Sequence, residues 1–132
     1  MITKEIPDLD LGQISRSGQC FRMRQIGEDT YALIAFGRYL EVRQEGERIS
    51  FSCTEEEFEK IWRGYFDLDT DYGRIKQAVD PADAYLQAAV RLGGGIRILQ
   101  QELWETIVTF IISQRNNIPR IKKCVDMLCR AF

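Results

Sequence analysis

The 132-residue chain contains no histidine, an absence that removes the commonest general base and the commonest metal ligand. Cysteine is sparse. Cys20, Cys53, Cys124 and Cys129 form no C-x-x-C pair, so a zinc site would have to gather four thiolates from distant segments. No metal or other cofactor is expected, and the cysteines read as small apolar side chains. Long hydrophobic runs are also lacking. The longest apolar stretch, Ile107 to Ile112, is far too short to span a bilayer, so no membrane partner is expected. Met1 to Pro7 hold no apolar signal core, which predicts a cytosolic protein without disulfides. There is no G-x-S-x-G, no H-E-x-x-H, and no G-K-S/T after the glycines at 93–95. Serine triads, zincins and P-loops are thereby set aside.

Net charge is only −2, but it is unevenly spread. Residues 1–90 carry 11 Lys and Arg against 17 Asp and Glu, a net of −6. Residues 91–132 carry 7 against 3, a net of +4; this part either meets an anion or presents an ordinary solvated helix surface, and charge alone favours the latter. Hydrophobic residues make up 45% of the chain, enough for a packed core in one domain or in one small domain joined to part of another.

From Gln19 to Cys53 the pattern has period two, broken near Gly27, Gly37 and Gly46. Phe21 and Met23 alternate with Arg22 and Arg24, Leu40 and Val42 with Tyr39, Glu41 and Arg43, and Ile49, Phe51 and Cys53 with Ser50 and Ser52, while Tyr31, Leu33 and Ala35 mark the strand after the Gly27 turn. Four antiparallel strands with one apolar face are predicted, and that face needs a helix laid over it. The helix follows at Thr54-Glu55-Glu56-Glu57, a capping box in which Thr54 and Glu57 satisfy free amides. Phe58, Ile61, Trp62 and Tyr65 make its buried stripe, so Trp62 reads as core.

A short helix carrying Tyr72, Ile75 and Val79, capped by Asp69 or Thr70, is expected next. Asp80-Pro81 opens another with Tyr85, Leu86, Ala89 and Leu92, which the flexible break Gly93-Gly94-Gly95 ends. Trp104, Ile107, Val108, Ile111 and Ile112, widened by Leu103 and Phe110, predict a helix close to full burial. A last helix starts near Ile118-Pro119, with Ile118, Ile121, Val125, Leu128 and Phe132 on its apolar side. It has no terminating Gly or Pro, so the end reads as a cut boundary rather than a natural one.

The connection 113–120 is the informative one. Arg115, Asn116, Asn117, Gln114 and Arg120 cluster at a helix start, where an anion such as a phosphate is favoured. Arg and Asn also pair with base edges by bidentate hydrogen bonds. A capped turn with Asn116 or Asn117 as N-cap is the competing reading. Lys122 and Lys123 read as solvated.

Residues 94–132, GGIRILQQELWETIVTFIISQRNNIPRIKKCVDMLCRAF, resemble the 8-oxoguanine DNA glycosylases. That family has a G-[IV]-R-[IL]-L-x-Q segment, a helix, an S-x-N-N-N-I-x-R-I turn and a helix ending in L-C-x-x-F-G. Ser17-Gly18-Gln19-Cys20-Phe21-Arg22 is similar to the family's S-G-Q-[SAC]-F-R-W, and Tyr65-Phe66-Asp67-Leu68-Asp69 to its Y-F-x-L-D. The resemblance implies an α+β fold, with a TATA-binding-protein-like twisted antiparallel sheet and packed helices over residues 1–93. The first helices of the α-helical, helix-hairpin-helix glycosylase domain would occupy 94–132.

The resemblance also implies function. The partner is duplex DNA containing 8-oxoguanine, and the reaction is base-excision repair by a bifunctional glycosylase and AP lyase. The family's catalytic lysine and aspartate belong to a segment beyond Phe132, so no catalytic residue is assigned here and the chain alone is expected to be inactive. Gly18 matches the glycine whose carbonyl accepts from N7–H of the lesion, a proton that guanine lacks. Arg115, Asn116, Asn117 and Arg120 fall in the loop that fills the gap and contacts the estranged cytosine; Arg115 stands where the family often has asparagine. Met23 replaces the usual tryptophan, a packing change. The expected location is cytoplasmic and nucleoid-associated, or nuclear in a eukaryote. The whole protein is expected to be monomeric, and this chain to self-associate through residues 118–132. The alternative is a non-enzymatic damaged-DNA-binding module.

Overall fold

The period-two stretch folds as a meander because its turns fall where glycine supplies a left-handed backbone. Gly37 has φ +67° and Gly46 φ +64°. The computed structural model describes residues 1–131. Its strands are β1 (Ile2–Glu5), β2 (Met23–Gln25), β3 (Thr30–Ala35), β4 (Arg38–Glu45) and β5 (Arg48–Phe51), all antiparallel in the order β1-β5-β4-β3-β2. The sheet has five strands where four were expected. β1 is too short to show a period by itself and gains its place at the edge by pairing with β5, Ile2 opposite Phe51.

One face of the sheet is apolar, as the alternation requires. Met23, Leu33 and Leu40 form one cross-strand row, and Tyr31, Val42, Phe51 and Ile2 another. The run 55–65 covers that face as α2 (Glu55–Glu57), a π-helical turn (Phe58–Trp62) and α3 (Arg63–Tyr65). Phe58, Trp62, Tyr65 and Phe66 are buried, with Phe51 packed edge-on against Phe58 at 4.9 Å and Phe66 at 5.9 Å. Thr54 caps the run through the Glu57 amide at 3.2 Å, but the Glu57 carboxylate does not complete a capping box. It accepts instead from Trp62 Nε1 at 3.2 Å, because a buried indole N–H needs a partner more than an exposed amide does.

α1 (Leu11–Arg16), which no periodicity signalled, buries Leu11 and Ile14 under the sheet and is capped by Asp10. α4 (Tyr72–Gln77) is capped by Asp71, not Asp69 or Thr70, and α5 (Ala84–Leu92) by Asp83, not Asp80. Asp80 closes the preceding turn, accepting from the Ala82 amide at 2.8 Å.

The glycines at 93–95 are not a flexible break. Gly93 ends α5, and Gly95 lies against Asp10, its carbonyl accepting from the Asp10 amide at 2.8 Å. A methyl on Gly95 would stand 2.2 Å from Asp10 Cβ, so only glycine allows this approach. The segment 95–101 then straps the sheet unit. Leu99 joins the core, and Arg97, 3% exposed, donates to the carbonyls of Asp67 (2.8 Å), Thr70 (3.3 Å) and Pro7 (3.0 Å) while lying 4.6 Å over the Tyr72 ring.

α6 (Leu103–Ser113) and α7 (Ile118–Ala131) form a helical hairpin. The burial expected of α6 is absent: Leu103, Trp104, Ile107, Phe110 and Ile111 are exposed and Thr109 alone is buried. Periodicity marks an apolar face but cannot say whether the chain itself covers it. Of the α7 stripe, Ile121 and Val125 are buried within the chain, Ile118 and Leu128 stay partly exposed, and Phe132 lies outside the described residues. Lys122 is half-buried and donates to the Ser15 carbonyl at 3.1 Å, closing the end of α1 instead of being solvated. No helix among the described residues is long and apolar enough to cross a membrane.

Candidate nucleic-acid interface

Gly18 follows the Ser17 cap of α1 and takes φ +78°, the left-handed position at which helices commonly end on glycine. Among the described residues its carbonyl oxygen accepts no hydrogen bond. A methyl added here would stand 3.2 Å from Cδ1 and 3.6 Å from Cγ1 of Ile118. Ile118 is the first residue of α7, so the fold brings Gly18 to the start of the helix that carries the polar loop. These two candidate groups are a hundred residues apart in sequence and adjacent in space.

The loop is built by its asparagines. Asn117 accepts from the Arg120 amide at 3.1 Å and caps α7. Asn116 donates from Nδ2 to the Ile112 carbonyl at 3.0 Å and accepts from the Asn117 amide at 3.0 Å, tying the end of α6 to the start of α7. Arg115 sits between the helices at φ +50°, a backbone state that is costly for a side chain bearing Cβ. The capped-turn reading and the nucleic-acid reading therefore divide the residues. Asn116 and Asn117 have structural bonds, whereas no hydrogen bond or ion pair among the described residues engages the side chains of Arg115 or Arg120. Both arginines are exposed at the positive end of α7, where an anionic backbone is favoured.

Three further residues shape the site and carried no assigned role in the sequence. Gln19 bonds from its carboxamide to the Leu99 amide (3.0 Å), the Arg97 carbonyl (3.0 Å) and Ser17 Oγ (3.1 Å), and its own carbonyl accepts from Gln101 Nε2 at 2.7 Å. Arg97 anchors that strap, and Ile118 bears on Gly18. Gln19, Arg97 and Gln101 all lie in the motifs quoted above, but nothing in a linear sequence pairs residue 19 with residues 97–101.

Two residues on from Gly18, burial raises the Cys20 thiol above its ordinary range, and burial likewise raises Tyr65 far above its own. Both stay neutral at physiological pH. Glu105 on α6 is raised chiefly by burial, with Arg22 opposing and Glu102 reinforcing the shift. No cluster of three or more His, Cys, Asp or Glu side chains among the described residues could hold a metal ion.

The model of the family described as 8-oxoguanine DNA glycosylase, N-terminal domain, matches residues 1–107. The chain belongs to that family. Solved structures agree with this glycosylase N-terminal domain in fold and beyond it. The Clostridium acetobutylicum 8-oxoguanine glycosylase/lyase, crystallised with double-stranded DNA containing cytosine opposite 8-oxoG, is 43% identical with a TM-score of 0.84, covering 89% of this chain and 41% of that one. Its apo form is 42% identical with a TM-score of 0.82, covering 92% and 42%. A protein designated MBOgg1, bound to a low-affinity DNA ligand, is 43% identical with a TM-score of 0.83, covering 89% and 41%. The N-glycosylase/DNA lyase of Saccharomyces cerevisiae is 55% identical over 38 residues, 29% of this chain and 10% of the yeast protein. The chain thus spans about two fifths of its solved relatives.

Proposed function

We propose that this chain supplies the lesion-reading and gap-filling part of an 8-oxoguanine DNA glycosylase/AP lyase that acts in base-excision repair. The observation that carries the reading is that Gly18, whose carbonyl has no partner among the described residues, lies against Ile118 at the start of α7, the helix whose entry loop and first turn carry the unengaged Arg115 and Arg120. An oxygen there can accept from N7–H of 8-oxoguanine and meets only a lone pair on guanine, so one acceptor separates the two bases. Arg120 and Arg115, from a loop fixed by Asn116 and Asn117, reach the strand opposite and the phosphates around it. Chemistry at C1′ needs an amine nucleophile and a carboxylate, and the reading gives both to a part of the protein outside the match.

Anisotropy titrations with otherwise identical 8-oxoguanine:cytosine and guanine:cytosine duplexes test it. The chain should prefer the lesion duplex, and equal affinity for the two would remove the role of Gly18. Borohydride, which traps Schiff bases, should yield no covalent complex with the 132-residue chain. A trapped complex would place a catalytic amine within it.

A further inference from the structure

We infer that Gln19 is a positioning residue for lesion readout: its carboxamide fixes the Gly18 peptide to the strap entering α6, so the reading carbonyl and the gap-filling loop act as one rigid body. The inference rests on the role proposed for the Gly18 carbonyl. Gln19 Oε1 accepts from the Leu99 amide and Nε2 donates to the Arg97 carbonyl, each at 3.0 Å. Residues 97 and 99 thus pair with one side chain as they would with a neighbouring strand. The same Nε2 donates to Ser17 Oγ at 3.1 Å, and the Gln19 carbonyl accepts from Gln101 at 2.7 Å. Both chain neighbours of Gly18 are therefore fastened, and the strap that holds them is itself fixed by buried Arg97.

Glycine has no side chain to anchor it and many accessible torsions, so the direction of its carbonyl is set by what holds its neighbours. A single oxygen that must meet an N–H in one case and a lone pair in the other discriminates only if its direction is fixed, because hydrogen bonds weaken steeply off-axis. The strap leads directly into α6, and α6 ends in the loop that α7 carries back to Gly18 through Ile118. Gly18 is tied by Gln19 to the strap that enters α6 and faces Ile118 at the start of α7. A misplaced loop and a misplaced carbonyl are then the same event.

The test uses the 132-residue chain with Gln19→Met, which keeps length and removes the polar atoms, Gln19→Glu, which keeps the acceptor for Leu99, and Gln101→Leu. The parent should prefer the lesion duplex. Gln19→Met should lower that preference by about tenfold, or to unity, the scale of losing neutral hydrogen bonds, with affinity for undamaged duplex unchanged within about twofold since phosphate contacts supply it. Gln19→Glu should fall between, and amide exchange at Gly18 should quicken in Gln19→Met without DNA present. A lower melting temperature with full lesion preference would show a structural residue only and overturn the inference, while leaving Gly18 in its role. Should Gln19→Met not fold, Gln101→Leu decides: a partial loss of preference supports the clamp, and none overturns it. A parent chain with no preference would overturn the Gly18 role and this inference together.

Discussion

The backbone of Gly18 lies at φ +78°, where an added Cβ costs on the order of 1–2 kcal/mol whatever space surrounds it. Here the space is also taken, since Ile118 Cδ1 would be 3.2 Å away. Gly18→Ala should therefore lower stability by about 1–3 kcal/mol and bring affinities for lesion and undamaged duplex together. Thermal melts paired with duplex titrations check both, and retention of full discrimination in a folded variant would move the readout elsewhere. Glu105 offers a test of opposite character. Burial keeps its carboxyl protonated over a range in which the unfolded chain has released the proton. The folded state then binds more protons, so stability falls as pH rises from the ordinary glutamate value of about 4.3 through the raised one. Glu105→Gln should stabilise the chain at pH 7 by on the order of 0.5 kcal/mol, discounted for its partial exposure, and leave it unchanged at pH 4. An equal gain at both values would mean that the charge is not the cause.

At the scale of elements, the loop between α6 and α7 separates residues that build it from residues proposed to bind DNA. Asn117→Ala removes the α7 cap and should cost about 1 kcal/mol. Arg120→Ala should change stability by less than about 0.5 kcal/mol and weaken duplex binding, with its effect dependent on the base opposite the lesion. The reverse pattern in calorimetry and titration would exchange the two roles. The turn itself was legible, because a polar cluster between two apolar stripes has few other uses. So was the meander, since period two is a local property of residues 19–53 and its glycines mark the turns. What escaped was non-local. β1 is a strand only because β5 accepts it, and Gln19 is a clamp only because residues 97–101 pass beside it. The face of α6 is exposed where the sequence predicts burial, because a hydrophobic stripe states a requirement and the partner that meets it is written in other residues. The flexible break expected at Gly93-Gly94-Gly95 is absent for the same reason, for glycine can mark a close approach as well as freedom.

Across the whole molecule, charge is unevenly spread along the chain. Residues 1–90 bear −6 and residues 91–132 bear +4, so a polyanion meets repulsion from one part and attraction from the other. Arg115 and Arg120 are exposed at the start of α7, the end of that helix which Gly18 faces through Ile118, so the attraction would orient the duplex at the proposed site as well as hold it. Affinity should then fall with salt, with a slope set by the phosphates contacted, about −0.9 per contact. Screening acts within a Debye length of roughly 10 Å at 0.1 M salt, so the distant acidic sheet should matter only in dilute buffer. Arg115→Ala and Arg120→Ala should each reduce the magnitude of the slope by about one and lower affinity for damaged and undamaged duplex alike, Arg120 adding its dependence on the opposite base. Replacing exposed Glu41 or Glu45 of β4 by Gln should strengthen binding slightly at low salt and not at all at physiological salt. Titrations at several potassium chloride concentrations measure all three effects. Slopes unchanged by both arginine substitutions would show that the duplex lies on another face, and the placement of the gap-filling loop would fall with them.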